Sequence, residues 1–224
     1  MIELPEERTL IVGARQSPLS QAQVREVYHE IHQKHPSIIF HCVFVDTHGD
    51  KDLSTSLRDL GKTDFFTREI DEMLLSGKCR IAIHSAKDLP DPLVKGVEMV
   101  ALTRGLDSSD VLVLREGKSL ETLPAGALIG VSSDRREEAI KKIRSDLAFV
   151  DIRGTIGQRL SRLAEGSLDG IVTAEAALIR LGLTHLNRIK LDGCTTEFQG
   201  QLAVLARSGD RKMQSLFASI DVRA

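Results

Sequence analysis

The chain of 224 residues has no tryptophan and only one tyrosine. Single-strand nucleic-acid platforms stack bases on aromatic rings, so this composition speaks against one. Nor is there a basic excess: 30 Lys and Arg face 32 Asp and Glu, a net charge of -2. Generic nucleic-acid binding normally shows as surplus positive charge. No apolar run approaches the roughly 18 residues that a membrane helix needs. The start, Met1-Ile2-Glu3-Leu4-Pro5-Glu6-Glu7-Arg8, is acidic where a signal peptide would be basic and then apolar. Cysteine is scarce, with Cys42, Cys79 and Cys194 odd in number and widely spaced. That excludes a disulfide framework and a CxxC zinc site, and it suits a reducing cytoplasm. Cys42 and Cys79 lie beside apolar strand residues, where a buried inert thiol is the default. Phosphate signatures are missing too: there is no Walker A pattern and no G-x-G-x-x-G after a strand.

What is present is a core-forming composition, 42% hydrophobic and 28% charged, arranged as alternating strand and helix patterns. Thr9–Gly13 reads as a strand. Ser17 then Pro18 reads as an N-cap and first helical residue, with apolar positions at helical spacing until Pro36. Ile38–Val45 reads as a strand, Phe65–Leu75 as a helix closed by Gly77, Ile81–Ile83 and Val97–Leu102 as strands. The second half predicts strands at 111–114, 128–131, 149–152, 170–173 and 201–206. Its helices fall at 134–144, after Thr155, at 174–181 and at 210–220. The expectation is an α/β protein with mixed or mostly parallel sheets. Turn formers cluster near 103–109 and 192–198, the candidate boundaries.

The chemistry gathers at strand ends. Ile81-Ala82-Ile83 runs into His84-Ser85-Ala86-Lys87-Asp88-Leu89-Pro90. Taken alone, this is a solvated loop with a weak Lys-Asp pair. At the carboxyl end of a rigid strand the same groups can open into a ligand site. Arginines recur at strand-to-helix junctions: Arg15 before Ser17-Pro18, Arg135 and Arg136 after Ser132-Ser133, Arg153 with Arg159, and Arg180 closing a helix. Any one of them is more often a solvated surface residue. Several together, in a chain of balanced charge, predict a site for a ligand carrying several carboxylates, since helix N-termini and guanidinium forks both bind anions. His29, His32 and His35 could bring two imidazoles to one helix face, but no Cys or carboxylate completes a metal set. His48 and His84, at strand ends, are the better site candidates, with a structural histidine equally open for each.

These stretches resemble the hydroxymethylbilane synthase (porphobilinogen deaminase) family. The resemblance rests on Arg15-Gln16-Ser17-Pro18-Leu19, Thr47-His48-Gly49-Asp50, His84-Ser85-Ala86-Lys87-Asp88-Leu89-Pro90, Val131-Ser132-Ser133-Asp134-Arg135-Arg136, Asp151–Leu160, Arg180-Leu181-Gly182-Leu183 and Phe198-Gln199-Gly200, in the family's order and spacing. It implies two α/β domains of the type-2 periplasmic-binding-protein kind, with mixed sheets and a cleft between them. The first would take residues 1–103 plus 199–224 and the second residues 104–198. The family's third domain, about a hundred residues long, bears the cysteine that carries its primer. That domain is expected to be absent, because the sequence ends at Ala224.

The resemblance also implies roles. Asp88 and Lys87 would be the catalytic pair, Asp88 stabilising the cation formed on loss of ammonia. Arg15, Ser17, Lys87, Ser133, Arg135, Arg136, Arg153, Arg159 and Arg180 would hold acetate and propionate side chains, and Gln23 and Phe66 align with cleft positions. The implied activity joins four porphobilinogens into hydroxymethylbilane on a dipyrromethane primer. The attachment residue is open: Cys194 superficially matches the missing cysteine loop, while its position reads as a plain hinge cysteine. The expected partner is the small-molecule substrate, with no nucleic acid or membrane, and the chain is expected to be monomeric. Some positions depart from the family pattern: Gly61-Lys62-Thr63-Asp64-Phe65-Phe66, His48, Thr155, Gln158 and Ala177. A shortened active deaminase and a degenerate homologue that only binds pyrroles or polycarboxylates are the two readings this leaves.

Overall fold

The computed structural model describes residues 8–193 and 195–223. The acidic start, Met1–Glu7, and Cys194 lie outside the described residues. In chain order the first elements are β1 (Thr9–Arg15), α1 (Pro18–Lys34), β2 (Ile39–Val45), α2 (His48–Lys51), α3 (Arg68–Leu75), β3 (Ile81–Ser85), β4 (Val97–Leu102) and β5 (Asp110–Leu114). Then come β6 (Leu128–Val131), α4 (Asp134–Lys141), β7 (Ala148–Asp151), α5 (Ile156–Ala164), β8 (Gly170–Ala174), α6 (Glu175–Arg180), β9 (Arg188–Leu191), β10 (Leu202–Arg207) and α7 (Arg211–Phe217).

Two compact units result. One comprises the chain through Lys51, Lys62–Gly105 and the chain from Gln201 onward; the other is Asp52–Gly61 with Leu106–Gly200. Each holds a five-stranded sheet, ordered β2-β1-β3-β10-β4 in the first and β7-β6-β8-β5-β9 in the second. The pattern is the same in both. β1 runs parallel to β2 and β3, and β6 runs parallel to β7 and β8. The fourth strand is antiparallel to both neighbours, β10 in the first sheet and β5 in the second. The sheets are therefore mixed.

The local chemistry behaves as the sequence implies at most boundaries. Ser17 caps α1, its hydroxyl accepting from the Ser20 backbone N at 3.2 Å, with Pro18 at the first helical position. Leu10, Val12, Ala14, Val24, Val27 and Ile31 then bury against Ile81, Ile83, Val204 and Phe217. In the second unit Leu112, Ile129, Ile140 and Val172 fill one side of the sheet and Val113, Ile152, Leu168 and Ile171 the other.

Five elements differ from expectation. β3 runs on to Ser85, so His84 and Ser85 belong to the strand, because β10 continues to pair with them. The helix expected over 65–75 breaks at Thr67 into a 3₁₀ turn (Asp64–Phe66) and α3. α4 ends at Lys141, three residues early. β9 and α2 have no counterpart in the sequence reading. Cys79 is buried as expected, whereas Cys42 is half-buried.

Among the described residues no helix is long and apolar enough to cross a membrane.

Gly200 follows Phe198, itself at φ 58, and sits at φ +85. A Cβ there would fall 2.4 Å from the Asp107 carbonyl oxygen. Gly200→Ala should therefore destabilise the protein by about 2–4 kcal/mol, through backbone strain and a clash with rigid backbone. Urea unfolding of the two proteins measures it.

Candidate functional site

The polar run after β3 is held by the sheet. Ser85 pairs with Leu202 and His84 with Ala203, and the Ala86 N–H donates to the Gln201 carbonyl at 3.1 Å. The chain then turns through a 3₁₀ helix, Ala86–Asp88. Lys87 is half-buried and Asp88 exposed on this turn. Asp88 lines a small pocket, partly open to solvent, together with Arg15, Ser20, Gln23, Phe66, Thr67, Ile83, His84 and Ser85. The structure thus gathers Arg15, Gln23, Phe66 and Asp88 at one place in the first unit. Ser17 stands two residues from Arg15, committed to the α1 cap.

Arg15 is fixed from two sides. Its Nε donates to both Asp50 carboxylate oxygens, at 3.2 and 3.1 Å, and its Nη2 pairs with Asp50 Oδ1. The Phe66 ring lies 4.4 Å from its guanidinium carbon, a cation–π contact. Asp50 also accepts from the Thr47 backbone N at 3.1 Å and its hydroxyl at 2.8 Å. Burial alone would raise the Asp50 carboxyl; the hydrogen bonds and charge of Arg15, with those of Thr47, outweigh it and hold it below the usual range. Gln23 is buried, and its Nε2 donates to Ser85 Oγ at 2.7 Å.

The second unit carries the other arginines. Ser133 caps α4, accepting from the Arg136 backbone N at 3.4 Å. Asp110, fully buried, pairs with Arg135 Nη1 and Arg136 Nη2, each at 2.7 Å. Gln199 Nε2 adds a bond to the same carboxylate at 3.2 Å, and Arg136 Nη1 donates to Ser132 Oγ at 3.0 Å. Arg153 Nη2 donates to the Asp52 carbonyl at 2.7 Å, Arg159 Nε to the Gly154 carbonyl at 2.9 Å and Arg180 Nη2 to the Gly200 carbonyl at 2.7 Å. Each of these arginines is anchored by acceptors of the protein itself. Asp50, named only within the Thr47–Asp50 motif, and Asp110 set three of them, and neither was given a role from the sequence. An acid opening the apolar strand Val111–Leu114 was the available signal for Asp110. Among the described residues no group of three or more His, Cys, Asp or Glu could hold a metal ion.

Comparison with known proteins bears on this geometry. The family model described as "Porphobilinogen deaminase, dipyromethane cofactor binding domain" matches residues 10–215. The chain belongs to the porphobilinogen deaminase family. A porphobilinogen deaminase of Streptococcus sanguinis is 36% identical over 220 residues, covering 95% of this chain and 72% of that protein. One of Pelotomaculum thermopropionicum is 38% identical over 221 residues, covering 96% and 70%. Solved structures show the fold alone. The OxyR2 regulatory domain of Vibrio vulnificus aligns with TM-score 0.56 at 15% identity, over 98% of each chain. The BvgS VFT2 domain of Bordetella pertussis gives 0.55 at 11% identity, covering 96% of this chain and 87% of the other. The fold is that of type-2 periplasmic binding proteins.

The porphobilinogen deaminase family model names a dipyrromethane cofactor, and the residues present fit such a group. Its carboxylate side chains call for guanidinium and hydroxyl donors. His84 Nε2 is a buried polar atom without a hydrogen-bond partner in the protein, the kind of donor a polar ligand satisfies. Cys194, the candidate attachment point, lies outside the described residues.

Two outcomes follow from the buried charges. Asp110→Ala would leave the two guanidiniums without their carboxylate and should cost about 3–5 kcal/mol in chemical denaturation. The second concerns pH. Burial, and then Arg15, push His84 down to about 3, while burial pushes Asp71 up to about 6. As pH falls below about 6.5, the unfolded chain takes a proton at His84 that the fold refuses, so stability is lost. Asp71 works oppositely: the fold holds its proton between the ordinary carboxylate range and about 6, so its contribution is lost as pH rises. The two offset over this window. In Asp71→Asn the histidine is left unopposed above the carboxylate range, and between about pH 6 and 5 stability should fall by about 1.4 kcal/mol per pH unit, with the parent flatter in the same urea titration.

Proposed function

We propose that this chain catalyses the porphobilinogen deaminase reaction, joining four porphobilinogens head to tail into hydroxymethylbilane with release of ammonia. The observation that carries this is the placement of Asp88, on a turn fixed by β3 and β10, in one pocket with Arg15, Gln23, His84 and Ser85. At each addition the aminomethyl C–N bond of a bound porphobilinogen breaks and ammonia leaves. A C–C bond then forms to the free α-carbon of a second pyrrole, which gives up its proton. When bound, dipyrromethane supplies the first acceptor pyrrole. Asp88 would hold the pyrrole N–H and stabilise the positive charge that develops as ammonia departs, an electrostatic role suited to a preorganised carboxylate. Lys87, its neighbour on the turn, would keep a carboxylate side chain in register and assist charge balance at the site.

Arg15, Ser17, Ser133, Arg135, Arg136, Arg153, Arg159 and Arg180 would hold the acetate and propionate groups of substrate, primer and growing chain. Their anchored guanidiniums support this, since a guanidinium held in place by the protein is already oriented when a carboxylate arrives. Gln23 and Phe66 would position Ser85 and Arg15. The chain is proposed to work in the cytoplasm as a monomer, with porphobilinogen as its partner and without nucleic acid or membrane. Its balanced charge and sparse cysteines support that assignment.

Intact-mass measurement before and after addition of porphobilinogen tests the reading. A covalent pyrrole adduct and uroporphyrin formation are expected, with the rate falling about 10²-fold or more in Asp88→Ala. An unmodified mass with no product, despite tight porphobilinogen binding, would instead identify a binding homologue that has lost turnover.

A further inference from the structure

His84 lies on a β-strand among fully apolar neighbours, Ile81, Ala82 and Ile83, and is itself only 5% exposed. Its Nε2 is buried and has no hydrogen-bond partner in the protein. A buried polar atom left in that state costs about 1–3 kcal/mol, so native folds seldom keep one without a use. The side chain lines the pocket that contains Asp88. Two of the polar side chains that line the pocket with it are engaged: Arg15 with Asp50 through Nε and Nη2, and Gln23 Nε2 with Ser85 Oγ. Ser85 accepts in that bond, which leaves its hydroxyl proton to point to another acceptor.

We propose that His84 contacts the ligand directly, its Nε2–H donating to a carboxylate of a pyrrole bound in this pocket, beside Arg15 and the Ser85 hydroxyl. Three donors from β1 and β3 then serve one anionic group, while Asp88 is the pocket's acceptor for a ring N–H. The charge state fits the task. Burial and the adjacent Arg15 keep the imidazole neutral far below its ordinary range. It therefore donates a hydrogen bond without adding a second positive charge where the proposed reaction develops one. The assignment rests on the deaminase reading for the identity of the ligand and adds to it a residue that selects carboxylated over plain pyrroles.

The probe is a porphobilinogen analogue with methyl in place of the aminomethyl group, which binds without turning over. On the full-length protein, adding it should shift the His84 side-chain nitrogens in ¹⁵N NMR to the pattern of a protonated, exchange-protected Nε2. By calorimetry His84→Leu and His84→Asn should bind it roughly ten- to a hundredfold more weakly, the size of one hydrogen bond to a charged group. His84→Gln, whose amide nitrogen reaches the Nε2 position, should restore most of the affinity. Melting curves of all three show that they are folded. An Nε2 that stays unprotonated or unmoved on saturation, or equal affinity in His84→Leu, overturns the inference. If that occurs while the intact-mass assay shows turnover of porphobilinogen, the deaminase reading survives alone. If the parent binds the analogue through His84 yet turns over nothing, the inference stands and the catalytic reading fails.

Discussion

The antiparallel pairing of β10 with β3 is the contact on which the candidate site depends. β3 has its parallel neighbour on one side only, and there β1 reaches no further than Ala82. Beyond that point the strand is held by β10, through Ile83, His84 and Ser85, and the Gln201 carbonyl then receives the Ala86 N–H. Without that rail the run His84–Asp88 would be the solvated loop its composition suggests. With it, an apolar strand carries a buried imidazole to its end and releases Lys87 and Asp88 on a defined turn. β10 lies more than a hundred residues along the chain from β3, so the site forms only once the chain has returned to the first sheet. Gln201 and Thr103 secure that return: Gln201 Nε2 donates to the Thr103 carbonyl at 2.9 Å and Thr103 Oγ1 accepts from the Leu202 N–H at 3.0 Å.

Each unit sets its arginines with a carboxylate that no ligand need touch. Asp50 grips Arg15 and Asp110 grips Arg135 and Arg136. The two differ in the medium around them. Asp110 has no exposed surface, so its pairs act in low dielectric and removing one side strands a charge. Asp50 keeps 15% of its side-chain surface exposed and draws on Thr47 for two further bonds. Both arrangements fix the guanidiniums through protein carboxylates.

Much of this was legible in the residues, and the gaps have physical causes. Ser17-Pro18, the strand cores and most helix starts are local signals, carried by capping and periodicity, and they appear where expected. The antiparallel strand in each sheet is not local: nothing within 201–206 or 110–114 says which strand it will join. β9 has only Ile189 and Leu191 to mark it, and α2 is four residues long, too short for any period to show. Asp50 and Asp110 read as ordinary acids because their meaning lies in partners 35 and 25 or 26 residues away. Asp52–Gly61 packs with the second unit although both flanks belong to the first. Arg58, through Asp134 at 2.7 Å and Glu137 at 2.6 Å, and the Asp52 carbonyl, through Arg153, supply the pairing, again across long separations.

The departures from the family pattern around Arg153 and Arg159 preserve the local architecture by another route. Thr155 and Gln158 together form a capping box at the start of α5: the Thr155 hydroxyl accepts from the Gln158 N–H at 3.3 Å, and Gln158 Oε1 accepts from the Thr155 N–H at 2.7 Å. Gly154, at φ +91, leaves the space that the Gln158 side chain needs, since a Cβ there would lie 2.6 Å from its Oε1. The two unusual residues are therefore coupled to each other and to the glycine between the two arginines. A helix start fixed in this way holds Arg159 one turn in, against the Gly154 carbonyl. The two departures thus make up one capping device, and it leaves Arg159 held at the helix start.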